Sequence, residues 1–166
     1  MKDGITQSKA SKDDIDNALV NLNRVNTSIE GEDVSGVKSE LQRNMQLNFG
    51  VFRTGELMEK GLRELDGIRE KTQNIHLTDK SSRFNTARVE ALELLNLIEV
   101  AQATAVCANE RKESRGAHAR DDFQDRDDDN WLKHSIYFAD IKQVTKRDVN
   151  FRPKTVQAFQ PIVRSY

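Results

Sequence analysis

The chain is short of several things: among 166 residues it has one cysteine, two prolines, one tryptophan and only 6% aromatic residues. A single thiol excludes an internal disulfide and fits a reducing compartment. Cys107 sits among alanines and valines, so it reads as a buried apolar thiol rather than a reactive one. Both prolines, Pro153 and Pro161, lie late in the chain, so nothing before them forbids a helix. No uninterrupted apolar run approaches ~18 residues and no basic-then-apolar leader follows Met1, which argues against a membrane span and a secretory signal. An excess of one charge is missing too. With 26 basic and 27 acidic residues the net charge is -1, which gives no electrostatic reason to propose nucleic acid or an anionic membrane as partner. The size and composition suit one soluble domain.

Chemical motifs are equally scarce. There is no Gly-x-Gly-x-x-Gly, Walker loop, Gly-x-Ser-x-Gly or His-Glu-x-x-His. His76, His118, His134 and Cys107 lack the spacing of a zinc site, so no catalytic, cofactor-binding or metal ligand set is assigned. Carboxylates abound between Asp121 and Asp129, but nothing apolar surrounds them to raise a pKa for general-acid work. A calcium loop starting at Asp125 fails on register: Asn130 stands where glycine is needed and Ile136 where glutamate is needed. A solvated turn, or a contact with a basic partner, is the better reading.

What the chain does have is helical periodicity. The organising stretch runs from Asn85 to Gly116, where Val89, Leu92, Leu95, Ile98, Ala101, Ala105 and Ala108 recur at three- and four-residue steps. Phe84 is expected to pack back on its first turn, Asn85 or Thr86 to cap it, and Gly116 to stop it in a left-handed conformation. Before it, Ser11 and Asp14 form a capping pattern ahead of Ile15, Ala18, Leu19, Leu22 and Val25. A second helix carries Val34, Val37, Leu41 and Met45, and Phe49, Val51 and Phe52 are expected to plug the end of the bundle. Thr54 caps a third helix with Leu57, Met58, Leu62, Leu65 and Ile68, in which Gly61 and Gly67 imply close helix packing. Trp131 to Phe138 and Val144 to Phe151 read as two strands of a hairpin.

The expected fold class is mainly α. It is an antiparallel three-helix bundle, spectrin-repeat-like, with an added N-terminal helix, a C-terminal β-hairpin and an extended tail. Residues 1–10 are expected to be disordered or an added lead-in. Residues 11–117 form the bundle, and 118–166 carry the acidic loop, hairpin and tail of the same domain. By its residues alone the chain is an interaction domain.

One stretch stands out: Glu113-Ser114-Arg115-Gly116-Ala117-His118-Ala119-Arg120-Asp121-Asp122-Phe123. Two arginines and a histidine around a glycine place a compact set of donors at a helix end, able to meet a carboxylate or phosphate or to cap the helix. The stretch closely resembles the C-terminal domain of succinate dehydrogenase and fumarate reductase flavoprotein subunits. The likeness continues through Arg126-Asp127-Asp128 and Asn130-Trp131-Leu132-Lys133-His134. Upstream it includes Asn48-Phe49-Gly50-Val51-Phe52-Arg53 and Phe84-Asn85-Thr86-Ala87-Arg88-Val89-Glu90, and it reaches the terminal Pro161 to Tyr166. The tryptophan and the Arg164-Ser165-Tyr166 ending look more like succinate dehydrogenase.

The resemblance implies a parent enzyme that oxidises succinate to fumarate with a covalently held FAD and passes electrons through an iron-sulfur subunit to quinone. It implies that the FAD and substrate residues lie in a preceding domain, so that this chain alone holds no cofactor and is inactive. The implied partners are that FAD domain and the iron-sulfur subunit, with no nucleic acid and no direct membrane insertion. The implied place is peripheral, on the cytoplasmic side of the inner membrane or the matrix side in mitochondria. Arg115, His118 and Arg120 become the candidate interdomain docking residues. A fumarate reductase, an L-aspartate oxidase relative or a freestanding helical adaptor are the alternatives.

Overall fold

The structure is a computed structural model that describes residues 8–159 and 162. The expectations for the first seven residues, for Pro161 and for Val163 to Tyr166 lie outside the described residues. About half of the described chain is helical. The main helices are α1 (Lys12–Thr27), α2 (Val34–Asn48), α3 (Gly55–Thr72) and α4 (Thr86–Glu110). A single turn, α5 (Asp128–Trp131), precedes an antiparallel hairpin of β3 (Lys133–Phe138) and β4 (Gln143–Asp148), in which Ile136 faces Thr145. Two-residue strands β1 (Glu32–Asp33) and β2 (Ile75–His76) pair in parallel. The fold is thus mainly α with a C-terminal hairpin, as the periodicity led one to expect.

Local chemistry sets the helix ends. Ser11 and Asp14 form a reciprocal capping box: the Asp14 N–H donates to Ser11 Oγ at 3.1 Å and the Ser11 N–H donates to Asp14 Oδ2 at 3.2 Å. Asn85 Oδ1 accepts the Arg88 N–H at 2.8 Å, which caps α4, and Thr54 Oγ1 accepts from Leu57 at 3.3 Å ahead of α3. The Asp33 carboxylate accepts the Gly36 N–H at 2.7 Å and opens α2, a cap not picked out in the sequence.

The chain divides into two compact units. Unit 1 comprises Met1–Asn44 and Glu64–Val100, with a core of Val25, Val37, Leu41, Leu65, Ile75, Leu77, Leu94 and Ile98. Arg24 of α1 donates to the Thr72 carbonyl at 3.1 Å, satisfying one of the last carbonyls of α3. Arg88 of α4 donates to Asn26 Oδ1 at 2.7 Å at the end of α1. Most of α1 before Leu22 is exposed, including Ile15 and Leu19. Its sequence stripe is therefore only partly used.

Unit 2 comprises Met45–Arg63 and Ala101–Tyr166, with Phe49, Met58, Ala105, Ala108 and Trp131 buried. Gly61 is held by packing, since a Cβ there would lie 2.4 Å from the Phe49 ring. Gly67, in unit 1, has open space around it, so the close packing expected of both glycines holds for Gly61 alone. Phe49 is buried as expected, whereas Val51 and Phe52 are 71% and 74% exposed and do not plug the core.

Helix α4 differs from its sequence reading in two ways. It stops at Glu110, six residues before Gly116, because the following residues are captured by the contacts described below. Gly116 does take a left-handed conformation, φ +59, but inside a turn in which Arg115 and His118 exchange backbone hydrogen bonds. In its first half the buried face is Ala91, Leu94 and Ile98, while Leu92 and Leu95 are half-buried and Val89 is exposed. Both stripes have helical spacing in a segment so apolar, and only packing selects between them. No uninterrupted apolar run is present, yet an 18-residue window of α4 has mean hydropathy 1.4, long and apolar enough to cross a membrane; core helices pass the same test.

Candidate functional site

The candidate site in unit 2 grows from a carboxylate. Glu113 follows α4 and is fully buried. A buried charge must be paired and hydrogen-bonded, and three groups do this. Arg111 donates to Oε1 at 2.5 Å, Arg115 donates to Oε1 and Oε2 at 2.8 and 2.9 Å, and the Asp127 N–H donates to Oε2 at 2.9 Å. Burial pushes the Glu113 carboxyl up, but the bonds from Arg115, Asp127 and Arg111 together outweigh it and leave it below its ordinary value.

The two arginines extend the network. Arg111 also donates to the carbonyls of Trp131 and Lys133, at 2.8 and 2.6 Å, and its guanidinium lies 5.2 Å from the Trp131 ring centre. It thereby pins the start of the hairpin to the end of α4. Arg115 reaches Asp128 Oδ1 at 2.7 Å, and its hydrogen bonds to Glu113 and Asp128 push its pKa up. Asp127 caps α5 through the Asn130 N–H. Part of the acidic loop is therefore matched within the chain, with Asp122, Asp127 and Asp128 engaged.

Arg120 is buried and spans two further structures. It grips Asp122 with bonds of 2.8 and 2.6 Å and donates to the carbonyls of Asn109 and Arg111 at 3.0 and 3.2 Å, which caps the end of α4. The Arg120 hydrogen bonds hold the Asp122 carboxyl down at about 2, and the Gly55 N–H, donating to it at 2.8 Å, contributes in the same direction. His118 completes the cap. A carbonyl can only accept, so Nε2 donates to the Arg111 oxygen at 3.2 Å and Nδ1 accepts from Arg53 at 2.8 Å. Burial pushes the His118 pKa down, and the neighbouring Arg53, Arg120 and Arg111 charges push the same way. Backbone bridges between Arg53 and Arg120 tie the turn before α3 to this loop.

The structure thus brings Arg115, His118 and Arg120 into one knot, and the carboxylates they meet are the chain's own. Glu113, Asp122 and Arg53, which organise that knot, were not singled out by sequence reasoning. Their signal was the alternation of charges from Arg111 to Asp122, visible only once the helix is known to stop at Glu110. Gly116 and Ala117 form the exposed tip of the loop. Beside it lies a shallow depression of about 310 Å³ lined by Cys107, Ala108, Arg111, His118, Lys133, His134 and Ser135. Burial raises the Cys107 pKa, which suits an unreactive thiol.

An end of α4 closed by a buried, self-matched charge network, with a hairpin pinned to it, belongs to a mainly α-helical domain. Residues 38–166 match the family model described as the fumarate reductase flavoprotein C-terminal region. The chain is 44% identical over 161 residues to the succinate dehydrogenase flavoprotein subunit of Coxiella burnetii, covering 97% of this chain and 27% of that protein. It is 36% identical to the fumarate reductase flavoprotein subunit of Escherichia coli, covering 82% of this chain and 23% of the relative. Among solved structures, the E. coli quinol fumarate reductase superposes with a TM-score of 0.75 at 30% identity, over 92% of this chain and 27% of that one. The chain belongs to the succinate dehydrogenase/fumarate reductase flavoprotein family and carries its C-terminal region. It spans about a quarter of the length of the curated relatives it matches.

Proposed function

We propose that this chain is the C-terminal scaffold of a succinate dehydrogenase flavoprotein, and that its knot presents a docking surface to the preceding FAD domain. The parent subunit oxidises succinate to fumarate on FAD and passes electrons through an iron-sulfur subunit to quinone. This chain alone binds no flavin and turns over no substrate. The observation that carries the docking role is the internal pairing of Arg115, His118 and Arg120. Such a loop is rigid before it meets a partner, so little ordering entropy is lost on contact. Arg115, His118 and Arg120 position the surface, and the exposed Gly116-Ala117 tip touches the partner. The 44% identity to a succinate dehydrogenase subunit and the Trp131-containing motif support that parent over fumarate reductase.

The gene upstream of Met1 tests this. A reading frame continuing for several hundred residues with a glycine-rich nucleotide motif is the expected result. The purified full subunit should then oxidise succinate faster than it reduces fumarate, and should leave aspartate untouched. A natural start near Met1 would point to a freestanding helical adaptor. Preference for fumarate reduction or for aspartate would change the parent.

A further inference from the structure

Phe84 is held in a conformation that disfavours it, and its side chain is fully exposed instead of packing back on the first turn of α4 as its sequence position led one to expect. Its φ is +51, a left-handed value unusual for a bulky residue, and its side chain is 103% exposed. Among the described residues the other non-glycine residue with positive φ, Lys142, lies in the β3-β4 hairpin turn, where such values are ordinary. Phe84 has no such excuse, since it sits at the entry to α4.

The loop around it is clamped. Asn85 is buried, and its side-chain amide donates to the carbonyls of Asp79 and Ser81 at 2.8 and 3.1 Å while its oxygen caps α4. Ser81 donates through its N–H to Asp79 at 2.8 Å, and Lys80 donates to the Ser28 carbonyl at 2.6 Å. The second of these bonds brings the loop to the end of α1, where Ile29 is 89% exposed. Val89, in the first turns of α4, is 54% exposed. Ile29, Phe84 and Val89 are thus exposed apolar residues of unit 1, and Arg83 is exposed next to Phe84 in the chain.

Backbone strain retained at a rigid loop signals a constraint that the isolated chain does not explain. We infer that Phe84 is an anchor that enters an apolar pocket of the parent chain's preceding region, flanked by an acceptor for Arg83. This inference rests on the docking reading above, and names a second contact for it. The occupant follows from length: this chain spans only 27% of its Coxiella relative, so the rest of such a subunit is tethered beside it. Tethering raises the effective concentration of that pocket far above that of any free partner. A protruding aromatic in a buried pocket is the usual form of an interface anchor.

The test uses cysteine labelling. Phe84→Cys and Ala117→Cys are made separately in a Cys107→Ala background, both in the 166-residue chain and in the full-length subunit. Maleimide modification is then timed, with the labelled peptide identified by mass. Both sites should label fast in the short chain and roughly tenfold or more slowly in the full subunit. Protection at Ala117→Cys without protection at Phe84→Cys would overturn the anchor while leaving docking intact. Protection at neither site would overturn both. Protection of Phe84→Cys that rises with the concentration of the short chain itself would assign the pocket to a second copy and overturn the assignment made here. Phe84→Asn is the companion variant, because asparagine accepts a left-handed φ. It should leave the thermal midpoint of the short chain unchanged or higher, and lower that of the full subunit.

Discussion

Arg115 meets Glu113 side by side, Nε to one carboxylate oxygen at 2.8 Å and a terminal nitrogen to the other at 2.9 Å, across a single intervening residue. The carboxylate is fully buried and the guanidinium is mostly so. The pairing is possible because α4 has already ended, so that the two side chains fall on the same side of an extended segment rather than apart on a helix.

Arg115→Ala should therefore weaken the 166-residue chain itself. It leaves a buried carboxylate with only Arg111 and one backbone N–H, a loss of roughly 2 to 4 kcal/mol given that Arg111 remains. Chemical denaturation of the two proteins measures it. A loss under ~0.5 kcal/mol would mean that the Arg115-Glu113 pair is not formed in solution.

The stripe of α4 gives a second prediction. Leu94 is 1% exposed and Leu95 is half-buried. Leu94→Ala should cost about 2 to 5 kcal/mol and Leu95→Ala clearly less. The reverse order in urea midpoints would place the helix in the other register.

Two glycines of α3 should respond with opposite signs. Gly61→Ala drives a methyl into the Phe49 ring and should cost on the order of 1 to 3 kcal/mol. Gly67→Ala meets nothing and should add roughly 0.5 to 1 kcal/mol through helix propensity. Thermal midpoints moving the same way in both would contradict the packing described for Gly61.

Two pH windows separate two parts of the knot. The folded pKa of His118 is below its ordinary value, so the unfolded chain takes up the proton first as pH falls. Its stabilisation is present above about pH 6.5 and declines below that. Asp122 is depressed to about 2, so its contribution is present above the ordinary carboxylate range and is lost as pH falls through about 2. Unfolding free energy measured against pH should flatten between about pH 7 and 5 in His118→Gln, while the acid limb survives. An unchanged slope in that window would mean that His118 is not held neutral.

Much of this fold was legible in the sequence because capping and periodicity are local. Ser11, Asn85 and Thr54 sit at the helix starts their chemistry suggests. The end of α4 was not legible, because Gly116 is a sound local stop signal and the tertiary contacts of Arg111 and Arg120 end the helix earlier. Val51 and Phe52 were misplaced for a related reason: apolar character marks what a residue can bury, not whether this chain buries it. Within the candidate site the donors Arg115, His118 and Arg120 were visible, but their acceptors were not. Glu113 and Asp122 look like any other surface acid until the loop closes on them.

The docking role stands or falls on the exposed tip of the knot. Ala117→Glu changes no contact within the knot and, in the 166-residue chain, should shift stability by no more than about 0.5 kcal/mol. In the full-length subunit the added carboxylate would be desolvated against the FAD domain. FAD occupancy of the purified full-length Ala117→Glu subunit is the deciding measurement. Flavin-poor protein from a variant whose short chain is unperturbed is the predicted result; full flavin occupancy would contradict docking through this loop.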